Sequence, residues 1–133
     1  LLAIAATKNL FIVTNRETLY ANPDCSNMFL DFTNIEKIDV TKLNTSKVTN
    51  MSRMLSYVGS AADVETKIVG ISKWNTSNVE NMAKMFYAMS FLSNLDLSEW
   101  DTSSVTNAPE TLVTGDKWDL TNAGGNEAPF TCK

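Results

Sequence analysis

The feature that most restricts this chain is a string that returns. Trp74-Asn75-Thr76-Ser77-Asn78-Val79-Glu80-Asn81 comes back 26 residues later as Trp100-Asp101-Thr102-Ser103-Ser104-Val105-Thr106-Asn107. An earlier copy, Leu43-Asn44-Thr45-Ser46-Lys47-Val48-Thr49-Asn50, lies 31 residues before the first, so about five extra residues fall inside Ser56 to Lys67. A weaker copy precedes these, with Cys25, Met28 and Phe29 lying 26 before Met51, Met54 and Leu55. A truncated one follows at Lys117-Trp118-Asp119-Leu120-Thr121. A unit this short cannot bury its own apolar face, so copies must stack and share one interior, with irregular copies capping both ends.

Each copy reads as one coil of such a stack. Segments like Leu95-Asp96-Leu97-Ser98 alternate apolar and polar, as a strand with one buried face does. The Asn/Asp-Thr-Ser step turns the chain through short side chains that bond nearby backbone. Val48, Val79 and Val105 then return to the interior. Met51/Met54 and Met82/Met85 are spaced for one face of a short helical turn, with Leu55 and Phe86 as final anchors. Stacking aligns these positions into columns. Leu43, Trp74 and Trp100 read as a large apolar core column rather than an exposed aromatic stripe. Truncating Trp74 to Ala is then expected to cost about 3–5 kcal/mol. Asn50, Asn81 and Asn107, with Asp24, read as a buried ladder whose amides satisfy the next coil's backbone. The expected fold is α/β, mostly β: a leucine-rich-repeat-like right-handed solenoid of about five coils, with short strands and short helical turns. It is expected to form one domain over 1–133. An N-terminal cap and irregular first coil span 1–34, three regular coils 35–113, and a C-terminal cap and tail 114–133.

The motif W-D/N-T-S-x-V-x-N-M-x-x-M-F, carried by Trp74 to Phe86 and Trp100 to Asn107, resembles the 26-residue repeat of bacterial surface proteins. That repeat is a BspA-like relative of the leucine-rich repeats. The resemblance covers about residues 22 to 121. It implies a solenoid on secreted or surface-anchored bacterial proteins, often lipoproteins or wall-anchored adhesins, with no catalytic activity and no cofactor. The chain departs from the pattern in three places. Leu19, Tyr20 and Asn22 stand where the first coil would carry Thr-Ser-x-Val, Ala108-Pro109 replace Met82-Ala83, and the inserted segment has no counterpart. Pro109 lacks a backbone donor, so regular pairing is expected to end there.

Composition narrows the chemistry. There is no histidine, so the commonest general base and metal ligand are both missing. Net charge is −4, which disfavours nucleic acid and anionic membrane surfaces as partners. No stretch approaches the roughly 20 apolar residues of a membrane span. The opening Leu1-Leu2-Ala3-Ile4-Ala5-Ala6 resembles the end of a secretion signal but lacks its charged start; the chain is expected to be a fragment of a longer precursor. Cys25 and Cys132 form an even pair, yet sit at opposite ends of the expected stack, roughly 15–20 Å apart by strand spacing. Either a tail folds back to bridge them, or Cys25 is a small buried hydrophobe in the methionine column.

The remaining candidates lie on the surface. Asp39, Asp96 and Asp119 share one outward column, with Gly70 in the second coil's place, and Thr41, Ser72, Ser98 and Thr121 share its neighbour. A carboxylate-pair hydrolase would need a pocket that separates two pKa values, which nothing here supplies. The acidic spacing matches no calcium loop. The inserted segment carries Tyr57 and Asp63, and longer connections on a solenoid often make contacts. Asn44-Thr45-Ser46, Asn50-Met51-Ser52 and Asn75-Thr76-Ser77 fit the glycosylation pattern but arise from the repeat itself, so they read as turn chemistry. The expected function is non-enzymatic binding of a protein or glycan through Asp39, Thr41, Ser72, Asp96, Ser98 and Asp119, or through Tyr57 and Asp63. A passive spacer is the alternative.

Overall fold

A computed structural model describes residues 8–61, 66–89 and 97–107, and the backbone alone of 2–4. Three strands run parallel: β2 (Asn9–Ile12), β4 (Lys37–Asp39) and β6 (Lys67–Val69). Strand β1 (Leu2–Ile4) closes one edge of this sheet antiparallel to β2, giving the order β1-β2-β4-β6. A second parallel pair, β3 (Leu19–Tyr20) and β5 (Leu43–Asn44), follows the turn after each of the first two parallel strands. Further along, single parallel bridges link Asp24 to Asn50, Asn50 to Asn81, and Asn81 to Asn107. Four successive segments therefore lie side by side, each in register with the next.

The register is not uniform along a segment. Leu10 faces Ile38, Leu19 faces Leu43 and Asp24 faces Asn50. Leu19 thus takes the place before Leu43 in the large apolar column, and the short Asn22-Pro23 step makes up the difference. In the next pair Ile38 faces Ile68, but Asn50 faces Asn81. One residue more than a gapless repeat allows therefore sits between β6 and the bridge. Gly70 absorbs it at φ 91 and opens a 3-10 helix, Ile71–Lys73. A side chain there would meet Thr41: an added Cβ lies 2.7 Å from Cγ2 and 2.9 Å from the backbone N and Cα. Asp39 consequently pairs with Val69, not Gly70, and Lys37 with Lys67, which corrects the expected outward column.

The methionine runs are chains of turns rather than turns of α-helix. Met51, Arg53, Leu55 and Tyr57 donate their N–H groups sideways to the carbonyls of Asn81, Ala83, Met85 and Tyr87, at 2.8, 2.9, 3.0 and 2.8 Å. The alternate residues Met54 and Ser56 donate three residues back instead, at 3.1 and 3.2 Å. Cys25, Asn27, Phe29 and Asp31 repeat the pattern one segment earlier, toward Asn50, Ser52, Met54 and Ser56. An α-helix spends every interior donor on its own chain. Here half the donors are needed by the neighbouring segment, so the backbone alternates. The alternation places Asn27 and Asp31, Arg53 and Tyr57, and Lys84 and Ala88 at positive φ, between 53° and 63°.

The interior gathers the apolar columns. Met51, Met54, Leu55, Met82 and Met85 are fully buried, with Phe29, Leu10, Ile38, Val40, Val48, Val79 and Leu97 beside them. Burying each large side chain contributes about 1.5–3 kcal/mol. Phe86 packs against Trp100 at 6.1 Å between centroids. Trp74 and Trp100 are buried and stack with centroids 6.4 Å apart and planes 10° from parallel.

The polar columns differ from the expected asparagine ladder. Asn50 and Asn81 are only half buried and Asn107 is exposed. The side-chain oxygens of Asp24, Asn50 and Asn81 accept from the N–H two residues on, in Ser26, Ser52 and Ala83, at 2.9, 3.0 and 3.0 Å. They hold their own turns, and backbone bonds join the segments at this column. The buried polar ladder is the threonine column instead. Thr45 and Thr76 donate their hydroxyls to the carbonyls of Asn75 and Asp101, both at 2.9 Å. Thr45, Thr76 and Thr102 are 2%, 1% and 5% exposed, so these hydroxyls have little access to water. Asn44, Asn75 and Asp101 turn the chain just before them by accepting from Ser46, Ser77 and Ser103.

Candidate functional site

Two surfaces gather chemistry. The first is the outer face of the parallel sheet. Strand alternation sends Leu10, Ile12, Ile38 and Val40 inward, and Asn9, Phe11, Lys37, Asp39, Lys67 and Val69 outward. Register then sets these in rows: Asn9 beside Lys37 beside Lys67, and Phe11 beside Asp39 beside Val69. Phe11 is 40% exposed and Val69 37%, so one carboxylate stands between two apolar side chains in contact with water. Asp39 also accepts from the Thr41 N–H at 3.1 Å and the Thr41 hydroxyl at 2.7 Å. One of its oxygens is thus occupied by a local turn, and Thr41 is oriented by it. Ser72 is half buried in the 3-10 helix, and Ser98 is exposed. Asp96, Asp119 and Asp63 lie outside the described residues, so the full carboxylate column does not come into view.

Sequence reasoning missed Phe11 on this face, along with Val13, which is 44% exposed. The run Leu10-Phe11-Ile12-Val13 is apolar throughout, so its inward and outward positions look alike. The signal that separates them is pairing with β4, which a single chain read linearly does not reveal.

The second surface is built by the turn runs. Tyr57 is 40% exposed and meets Tyr87 of the next segment edge-on, centroids 5.6 Å apart at 66°. The Lys84 ammonium lies 5.6 Å above the Tyr87 ring. These residues, with Leu30, Asp31 and Arg53, line a cavity of about 280 Å³. The Ser56 hydroxyl at its floor donates to the Lys84 carbonyl at 2.5 Å. Among the described residues Arg53 and Asp31 take part in no ion pair, although they share this cavity. Of this group only Tyr57 stood out in the sequence. Arg53 and Lys84 share the column of Asn27, and that alignment was the available clue.

Cys25 is a free, buried thiol, and Cys132 lies outside the described residues. Burial raises the Cys25 pKa, the neighbouring Asp24 charge adds to this, and the thiol donates to the Asn22 carbonyl at 3.1 Å. A thiol pushed in that direction is a poor nucleophile at neutral pH. Asp24 moves the other way, because the Ser26 hydroxyl and N–H both stabilise its carboxylate. Among the described residues no three acidic or cysteine side chains gather closely enough to hold a metal ion. No described helix is long and apolar enough to cross a membrane.

Comparison with known proteins identifies a family. No curated protein and no solved structure matches the chain significantly. A family model covers residues 23–123, which include the segments joined by the Asp24–Asn50–Asn81–Asn107 bridges. On that match the chain belongs to the family described as Mycoplasma protein of unknown function, DUF285.

Proposed function

We propose that this chain is a non-enzymatic binding and adhesion module on a secreted or surface-held bacterial protein. In this reading it is a right-handed, BspA-like solenoid of about five coils, and its partner is a protein or glycan. The observation that carries the proposal is the row Phe11–Asp39–Val69. Two exposed apolar side chains, on the strands either side of β4, flank a carboxylate, a flat mixed surface of the kind a partner can cover. The absence of histidine and the raised thiol pKa leave little for acid–base or nucleophilic chemistry.

The immobilised chain is expected to capture a saturable partner from host or bacterial surface extracts. Asp39→Lys and Phe11→Ser should each weaken capture about tenfold, equivalent to about 1.4 kcal/mol. Capture unchanged by both substitutions would remove the strand face. No saturable capture at all would favour a spacer that only holds another domain away from the cell.

A further inference from the structure

We propose that the cleft walled by Tyr57 and Tyr87 and lined by Arg53 is a saccharide site that takes a sugar ring bearing a carboxylate. The inference rests on the binding-module reading but concerns a different face of the molecule. Its volume of about 280 Å³ lies at the small end of ligand pockets and suits one or two sugar rings. The two tyrosine rings meet at 66° and make an angled wall. Tyr57, 40% exposed, offers the ring surface against which the C–H face of a pyranose packs. Asp31 and the tyrosine hydroxyls supply the acceptors and donors that ring hydroxyls require.

The charge of the cleft selects among acids. Arg53 and Lys84 contribute two positive charges and Asp31 one negative, leaving a net of about +1 at the cavity. Lys84 is already set over the Tyr87 ring, so Arg53 is the cation best placed to meet a ligand. Its planar fork matches a carboxylate with two parallel hydrogen bonds. One net charge suits a singly charged acid sugar. Asp31 opposes a doubly charged phosphate or a run of acidic peptide side chains. Arg53 sits at φ 53 in the same column as Asn27, a residue type that this conformation suits. The turn alone does not ask for arginine.

The test is calorimetric titration of the full chain with monomeric galacturonate, neutral galactose and a polyglutamate peptide. Saturable binding of galacturonate, weakened by salt, is expected. Arg53→Asn should retain the fold, since Asn27 already occupies that conformation, and should lower affinity at least about tenfold. Tyr57→Ala should do the same, whereas Lys42→Gln, which removes the same charge elsewhere, should leave binding unchanged. The proposal is overturned by an absence of galacturonate binding, by equal binding in Arg53→Asn, or by neutral or polyglutamate ligands binding as tightly. Surface-partner capture that depends on Asp39 without any galacturonate binding would sink this site alone and leave the broader reading standing.

Discussion

Trp74 and Trp100 occupy equivalent places and stack on each other, yet they differ at one atom. The Trp100 indole N–H donates to the Ile71 carbonyl at 3.0 Å, while the buried Trp74 Nε1 has no partner among the described residues. A phenyl ring removes that nitrogen. Trp100→Phe is therefore expected to cost about 1 kcal/mol more than Trp74→Phe, read from urea unfolding midpoints. Equal losses would mean that the indole bond contributes nothing. A second residue-scale prediction concerns Asp24. Its pKa is lowered in the fold, so its contribution to stability is present above the unfolded pKa and fades as pH falls through the folded one. Asn stands at this column in the later segments and offers the same acceptor without a charge. Asp24→Asn should thus keep neutral-pH stability and flatten the acid limb of a stability–pH profile. The repeat spacing made the tryptophan column readable, because both residues are alike in size and place. The orphaned nitrogen was not readable, since it depends on where the carbonyl of the preceding segment ends up.

At the scale of the element, the threonine column and the Gly70 bulge decide most. Thr76 is 1% exposed and donates to the Asp101 carbonyl. Thr76→Val keeps the shape and strands that carbonyl, so a loss of about 1–3 kcal/mol is expected in thermal or denaturant unfolding. An unchanged stability would show that water reaches the site. Gly70→Ala adds a Cβ against Thr41 at a positive φ and should destabilise by at least about 2 kcal/mol. Sequence pattern found the Asn-Thr-Ser turn but assigned the ladder to the wrong residue. A hydroxyl beside a turn looks solvent-facing in one dimension, and only the neighbouring segment's carbonyl buries it. The same limit applies to the turn runs. Spacing of three between Met51 and Met54 fits a helix and a pair of linked turns equally well. Competition from the next segment for half the backbone donors selects the turns.

At the scale of the whole molecule, segments contact their neighbours through parallel bridges and a shared interior, so stability should behave as a sum of unit and interface terms. Trp74 sits at an interior interface, where Trp74→Ala should cost about 3–5 kcal/mol. It should also broaden the urea transition, as the flanking segments begin to unfold separately. A sharp transition at unchanged midpoint would count against a shared core. The sequence by itself determined the period, the near-uniform spacing of large apolar residues and the absence of histidine chemistry. These are properties of composition and order along one dimension. Tertiary structure alone decided which residue of each strand faces which, that Asp39 stands between Phe11 and Val69, and that Arg53, Tyr57 and Tyr87 share a cleft. Those placements follow from hydrogen-bond register between segments, where a shift of one residue at Gly70 moves every partner upstream of it.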